Sequence, residues 1–153
     1  MKVGVISDTH GFLDPRVAEI FCDVGHIVHA GDIGPYTLLT ELEAIAPVTA
    51  VIGNTDIGLD LPLTRVAEVN GRKLLLHHIV DPLALRNDLK EEIARTRPDA
   101  VIFGHTHKQF YGQQHGVMYL NPGYSGRPKH GQQRSVAILH TEAKEPWVEF
   151  IDL

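Results

Sequence analysis

The stretch Lys2-Val3-Gly4-Val5-Ile6-Ser7-Asp8-Thr9-His10-Gly11 sets a pattern: a short apolar run, then a carboxylate, an imidazole and a glycine. The run does not alternate, as expected for a strand covered on both faces. Runs of the same kind recur at residues 27–30, 48–52, 73–76 and 100–103. Helical stretches fall between them. Asp14 reads as an N-cap with Pro15 at the first helical position, opening a helix through residue 24. Residues 36–46 put Leu38, Leu39, Leu42 and Ile45 on one face before Pro47 stops them. Asp81-Pro82 repeats the start signal ahead of residues 83–97, where Leu85, Leu89 and Ile93 form a stripe closed by Pro98. Strands alternating with helices predict an α/β fold. The last third differs: residues 116–120, 135–140 and 147–152 read as strands without intervening helices, expected to pair antiparallel, and 123–133 as an exposed loop.

At 153 residues, 43% hydrophobic and 22% charged, the chain has the size and apolar content of one domain, residues 1–153, with a buried core. A net charge of −5 with no basic run argues against a groove held on nucleic-acid phosphates, so no stable nucleic-acid binding is expected. No apolar run approaches the ~20 residues that span a membrane, and no signal-peptide pattern is visible, so no membrane association and a cytoplasmic location are expected. The single cysteine, Cys22, excludes an intrachain disulfide framework or a thiolate-cluster zinc site. Ten histidines are an excess. Beside many Asp they suggest a nitrogen-and-oxygen metal site, with surface histidines or chance as the rival explanation.

Position decides between these. The five early apolar runs end in Asp8-Thr9-His10, Gly31-Asp32, Gly53-Asn54, His77-His78 and Gly104-His105-Thr106-His107. In open α/β sheets, ligands bind outside the carboxyl ends of the strands, so these residues should converge on one rim. Asp8 and His10, like His105 and His107, are two apart, and in extended chain that spacing points both side chains the same way. The glycines would let the backbone turn and let an ion approach. Taken singly, Asp-x-His is more often a loop, Asp32 and Asp56 read as helix caps and Asn54 as a turn residue. Agreement across five successive strand ends favours a metal centre, and imidazole with carboxylate suits Mn, Fe, Zn or a similar divalent ion.

Ser7-Asp8-Thr9-His10-Gly11, Ala30-Gly31-Asp32, Ile52-Gly53-Asn54-Thr55-Asp56, Phe103-Gly104-His105-Thr106-His107 and Asn121-Pro122-Gly123 together resemble the calcineurin-like metallophosphoesterases, in particular their small single-domain prokaryotic phosphodiesterase branch. The resemblance implies a four-layer αββα sandwich, two mixed β-sheets flanked by helices. It also implies two divalent metal ions, Mn first, with Fe, Zn, Ni and Co as alternatives. Asp8, His10, Asp32 and His107 would hold the first; Asp32, Asn54, a strand-four histidine and His105 the second. Asp32, Asn54 and His107 would bear on catalysis, in which a metal-bridging hydroxide attacks the phosphoester. A pair of ions about 3.5–4 Å apart can clamp the attacking and leaving oxygens of such a displacement.

This chain departs from the family pattern in places. Counting from Gly71 makes His78 the strand-four ligand, with His77 as the alternative, and puts Ile79 where the family has Gly. Thr55 stands where several relatives have a histidine that protonates the leaving group. Tyr124 replaces a frequent Ser, which puts a polar contact there in doubt. Asp56 would orient a ligand or simply cap a turn. His29 reads as a core or near-site residue, and His115, His130 and His140 as surface. Arg127, Lys129 and His130 fall on a solvated loop, and Phe110, Tyr111 and Trp147 read as packing or interface residues. The function expected is a metal-dependent phosphoesterase, most of all a phosphodiesterase, acting on a small-molecule phosphoester. The alternatives are a non-catalytic protein-binding scaffold of the same fold, or a phosphomonoesterase or protein phosphatase, the last disfavoured by Thr55. A homo-oligomer is expected from the exposed C-terminal strands.

Overall fold

The computed structural model describes residues 1–153. Its first half runs β1 (Lys2–Ile6), α1 (Arg16–Ile20), β2 (His26–His29), α2 (Thr37–Glu43), β3 (Val48–Ala50), β4 (Thr64–Val69) and β5 (Arg72–His77). Then come α3 (Asn87–Thr96), β6 (Ala100–Ile102), β7 (Gln109–Gln114), β8 (Val117–Pro122), β9 (Ser135–His140) and β10 (Trp147–Asp152). Two five-stranded sheets result, in the orders β10-β9-β1-β2-β3 and β4-β5-β6-β8-β7. Both are mixed: β1, β2 and β3 are parallel, as are β5, β6 and β8, and the outer strands pair antiparallel.

The unbroken apolar runs follow from burial on both faces. In β1, Val3 and Val5 enter the core between the sheets with Leu74, Leu76, Ile102 and Leu120. Ile6 joins Phe21, Leu39 and Leu42 beneath α1 and α2. On the far side, Leu75 and Val101 pack under α3 against Leu89. Helices, sheet, sheet and helix make the expected four layers. Truncating a fully buried side chain such as Leu76 or Ile102 to alanine would cost about 2–5 kcal/mol.

Several local expectations change. The helices are shorter than their start signals suggest. Asp14 does not cap a helix reaching residue 24; its Oδ1 accepts from the Arg16 amide at 3.0 Å, and α1 ends at Ile20. Asp81 likewise closes a local turn onto the Leu83 amide at 3.0 Å, so α3 starts only at Asn87 and leaves Leu83 86% exposed. Two strands, β4 and β7, fall in stretches without an apolar run. Each is one arm of a hairpin whose turn, Asn70-Gly71 or His115-Gly116, has positive φ at both residues, the backbone of a type I′ turn. Strand β8 pairs antiparallel with β7 but runs parallel to β6 on its other side, while β9 and β10 pair antiparallel as expected. The stretch 123–133 is exposed only over residues 127–131 and at Gln133, since Tyr124 and Ser125 are 1% exposed. His140 is not a surface residue either: it lies on β9, inside the sheet, buried and stacked on Trp147 at 3.7 Å.

Candidate metal centre

The carboxyl ends of β1, β2, β3, β5 and β6 lie on one rim, and the polar residues that follow them meet there. His107 Nε2 lies 3.2 Å from Asp8 Oδ1 and 3.4 Å from His10 Nε2. His10 Nε2 stands 3.8 Å from Asp8 Oδ1 and 3.7 Å from Asp32 Oδ2. His78 Nε2 lies on the other side of the carboxylates, 3.3 Å from Asp32 Oδ2 and 3.9 Å from Asp8 Oδ1. Further out, His105 Nδ1 is 2.9 Å from Asn54 Oδ1, and its ring meets that of His78 edge to face at 5.5 Å. Two groups here could hold a metal ion, Asp8 with His10 and His107, and Asp8 with Asp32 and His78. Ligands about 2.1 Å from one ion are ~3.0–3.4 Å apart in octahedral or tetrahedral geometry, close to these separations.

The donor set fits such an ion on a more direct observation. Asp8 Oδ1 and His78 Nε2 are buried and have no hydrogen-bond partner. Every other valence around them is occupied. Asp8 Oδ2 accepts from Ser7 Oγ at 2.7 Å and from the His105 amide at 3.1 Å. His78 Nδ1 lies 2.7 Å from the Ala30 carbonyl, so it must carry the proton and donate, which leaves the Nε2 lone pair facing Asp8 and Asp32. Two buried carboxylates with no Lys or Arg against them would cost several kcal/mol each unless a cation joins them. Burial pushes the Asp32 carboxyl up, but the Thr55 amide, His78 and His10 outweigh it and hold the group below its ordinary range. For His107, burial is the main cause of a pKa below the usual imidazole value.

The backbone is strained at the same residues. Asp8, His10, Asp32, His105 and His107 all have positive φ, between 47° and 70°. Side chains rarely adopt this region, and it persists only where surrounding structure enforces it. Asp8-x-His10 and His105-x-His107 are therefore tight turns rather than extended chain. In the second pair the side chains separate, His105 toward Asn54 and His78, His107 toward Asp8 and His10. The glycines make room for ligand side chains rather than for the ion. A Cβ on Gly53 would run into the Asp32 carboxylate, and one on Gly104 into Ser7 Oγ and Asp8 Oδ2.

Around the cluster, a frame holds the turns. Asp56 Oδ1 accepts from the Ile33 and Gly34 amides at 2.8 and 3.0 Å, and its Oδ2 from the Gly53 amide at 2.8 Å. One carboxylate thus ties the turn carrying Asp32 to the turn carrying Asn54. His29 is fully buried; its Nδ1 accepts from the Gly31 amide at 3.1 Å, so Nε2 donates to Thr9 Oγ1 at 2.9 Å. Burial pushes its pKa down to about 3, keeping it neutral. Asn121 donates to the Gly104 carbonyl at 2.9 Å and to Thr106 Oγ1 at 3.1 Å, and Gln132 donates to the His107 carbonyl at 2.9 Å.

All seven candidate ligands reach this rim, and of the strand-four pair it is His78 that does so; His77 turns away to Thr64 Oγ1 at 2.7 Å. Thr55 gives its amide to Asp32 Oδ1 at 2.9 Å. Tyr124 turns its hydroxyl to the Arg127 carbonyl at 3.1 Å and lays its ring 4.8 Å from that of His107, so it is an apolar wall of the cluster rather than a polar contact. The roles of Gln132 and Ser125, the latter donating to the Ser7 carbonyl at 2.6 Å, had no sequence signal beyond residue type.

Two packed sheets that gather carboxylates, imidazoles and an amide on one rim define a candidate metal-binding class of site. Comparison with known proteins narrows the class. The chain belongs to the calcineurin-like phosphoesterase superfamily, whose domain model matches residues 1–144, and it is by that membership a phosphoric ester hydrolase. It is 35% identical over 161 residues to a protein of Methanothermobacter thermautotrophicus named a probable metallophosphoesterase, covering 99% of this chain and 92% of the relative. It is 30% identical over 166 residues to Phosphodiesterase MJ0936 of Methanocaldococcus jannaschii, covering 95% and 96%. The structure of Vps29 from Entamoeba histolytica in complex with zinc superposes with a TM-score of 0.77 over 99% of both chains at 21% identity, a likeness of fold.

Proposed function

We propose that this chain is a binuclear phosphodiesterase. Asp8, His10, Asp32 and His107 hold one divalent ion, and Asp32, Asn54, His78 and His105 the other. The observation that carries the reading is the pair of buried, partnerless atoms, Asp8 Oδ1 and His78 Nε2, facing Asp32 Oδ2. Asp32 is suited to bridge, since its Oδ2 lies between His10 and His78 while its Oδ1 is fixed by the Thr55 amide. When bound, two divalent ions supply Lewis acidity: they lower the pKa of water and offset charge on the phosphoryl oxygens.

The chain's own residues do the positioning. Asp56 and the Thr9–His29 pair hold the ligand turns, so little rearrangement accompanies metal uptake. Thr55 is a poor general acid, and no histidine replaces it at that turn. Loss of general-acid help typically costs about 10²–10⁴-fold, so the preferred ester has a leaving group stable as an anion. Diesters are the substrate class expected to lead, in keeping with the name of the Methanocaldococcus relative. Manganese is the metal expected to serve first. The test is hydrolysis of a panel of aryl phosphodiesters, monoesters and cyclic nucleotides with Mn²⁺, Ni²⁺, Co²⁺, Zn²⁺ or Mg²⁺. Metal-dependent turnover with diesters leading supports the reading; no turnover with any pair overturns it.

A further inference from the structure

Large apolar side chains left in water cluster beside one edge of the candidate metal centre. Ile79, Leu83 and Phe110 are 42%, 86% and 36% exposed, and all three line a single cleft of about 490 Å³. Its floor is built from Val80 and Phe103, 5% and 2% exposed. The cleft lies within the size range of small-molecule pockets, which are mostly apolar with a few placed polar groups. Two features make it part of the site rather than a separate surface. His105, which faces Asn54 at 2.9 Å, also lines the cleft. Ile79 directly follows His78 and borders both this cleft and a smaller one, about 160 Å³, that reaches Asn54 and His78. The walls are held in place: the Phe110 ring leans on Phe103 at 5.8 Å, and the Asp81 carboxylate fixes the Leu83 amide.

We propose that this cleft is the subsite for an organic group of the phosphoester, that it accepts a flat apolar group such as an aromatic ring, and that Ile79, Leu83 and Phe110 set that preference. The inference rests on the phosphodiesterase reading and names its substrate class. An aromatic group fits the chemistry as well as the shape. An aryl oxide is a stable anion and leaves without a proton, which suits a site with Thr55 in place of an acid. The occupant follows from continuity with the metal rim, since a group esterified to a phosphoryl centre held there reaches the cleft past His105.

Calorimetric titration of the Mn²⁺-loaded protein with phenylphosphonate and with methylphosphonate tests this, because both share the anion and only the first has a ring. Phenylphosphonate should bind about tenfold or more tighter to the wild type. Leu83→Ala and Phe110→Ala should each remove most of that advantage and leave methylphosphonate binding unchanged. Leu83 is too exposed for its truncation to unfold the chain. Equal binding of the two ligands by the wild type, or a parallel loss of both in the variants, overturns the cleft assignment. So does sedimentation of a dimer that Leu83→Asp dissociates while the phenyl advantage survives, which would make the cleft a contact between copies. Diester hydrolysis with no phenyl advantage sinks this inference alone; neither phosphonate binding nor hydrolysis sinks the phosphodiesterase reading with it.

Discussion

Asp8, Asp32 and His78 are sealed inside the rim, whereas His10, Asn54 and His105 stand open beside them. Imidazole is common to both sets, but the carboxylates lie only on the sealed side and the amide only on the open one. On the sealed side, two carboxylates face an imidazole lone pair with two atoms unpartnered, an arrangement unfavourable without a cation. On the open side the groups are exposed and His105 pairs with Asn54 at 2.9 Å, so no buried charge is left uncompensated there. On the proposed two-ion reading, the sealed half would couple metal to folding and the open half would couple metal to chemistry.

The hardest blow to this contrast is Asp8→Asn. It should lower kcat/KM for aryl diesters by at least about 10³-fold, as expected when a central electrostatic element is lost. In the same variant, the metal-free protein should melt at a higher temperature than the metal-free wild type, because an uncompensated buried charge is gone. His105→Ala, on the open side, should leave the metal-free melting temperature unchanged while weakening metal binding. Matching thermal shifts in both variants would erase the distinction.

Thr55→His probes the open edge from the other direction. If the missing acid limits the chain to good leaving groups, this variant should gain about 10²-fold on alkyl diesters and little on aryl ones, measured as kcat/KM. Asp56→Ala loosens the frame without removing a ligand and should weaken metal affinity about 10–100-fold by calorimetry.

A pH dependence follows from the sealed side. His29 is neutral in the folded chain with a pKa near 3, while the unfolded chain takes up the proton near 6.5. Its contribution is therefore fully present above pH 6.5 and is lost as pH falls toward 3, by about 1.4 kcal/mol per unit. Denaturant unfolding of the chelator-treated protein should lose stability from pH 7 to 5, more steeply toward pH 5, and His29→Gln should reduce that loss. The smallest effect belongs to His77→Ala, which should leave metal stoichiometry and kcat/KM unchanged.

How much was readable depended on what each residue's neighbours had to be. Apolar runs covered on both faces announce the five strands whose ends meet at the rim, and a polar pattern repeated at every end marks the candidate ligands gathered there. Strands β4 and β7 lie at sheet edges with one wet face, so their composition is mixed; their signal was in the turns, Asn70-Gly71 and His115-Gly116. The spacing of Asp8 and His10 suggests convergence by extended-chain parity, yet the backbone reaches it through left-handed residues, a conformation Asp and His visit more often than most side chains but that spacing does not signal. The choice of His78 over His77 is a matter of strand register, fixed by pairing of Thr64 with His77. Asp56, Asn121 and Gln132 act on backbone groups distant in sequence, and residue type alone does not specify such partners. Tyr124 is buried because its ring covers two histidines that only the fold brings together.

Seven side chains would have to hold two ions for the proposed chemistry to run. The direct measurement is calorimetric titration of the chelator-treated protein with Mn²⁺, with hydrolysis of an aryl phosphodiester followed in parallel. Two ions bound per chain, with activity appearing only as the second site fills, is the result predicted. Saturation at a single ion with full activity, or no binding at all, would contradict it.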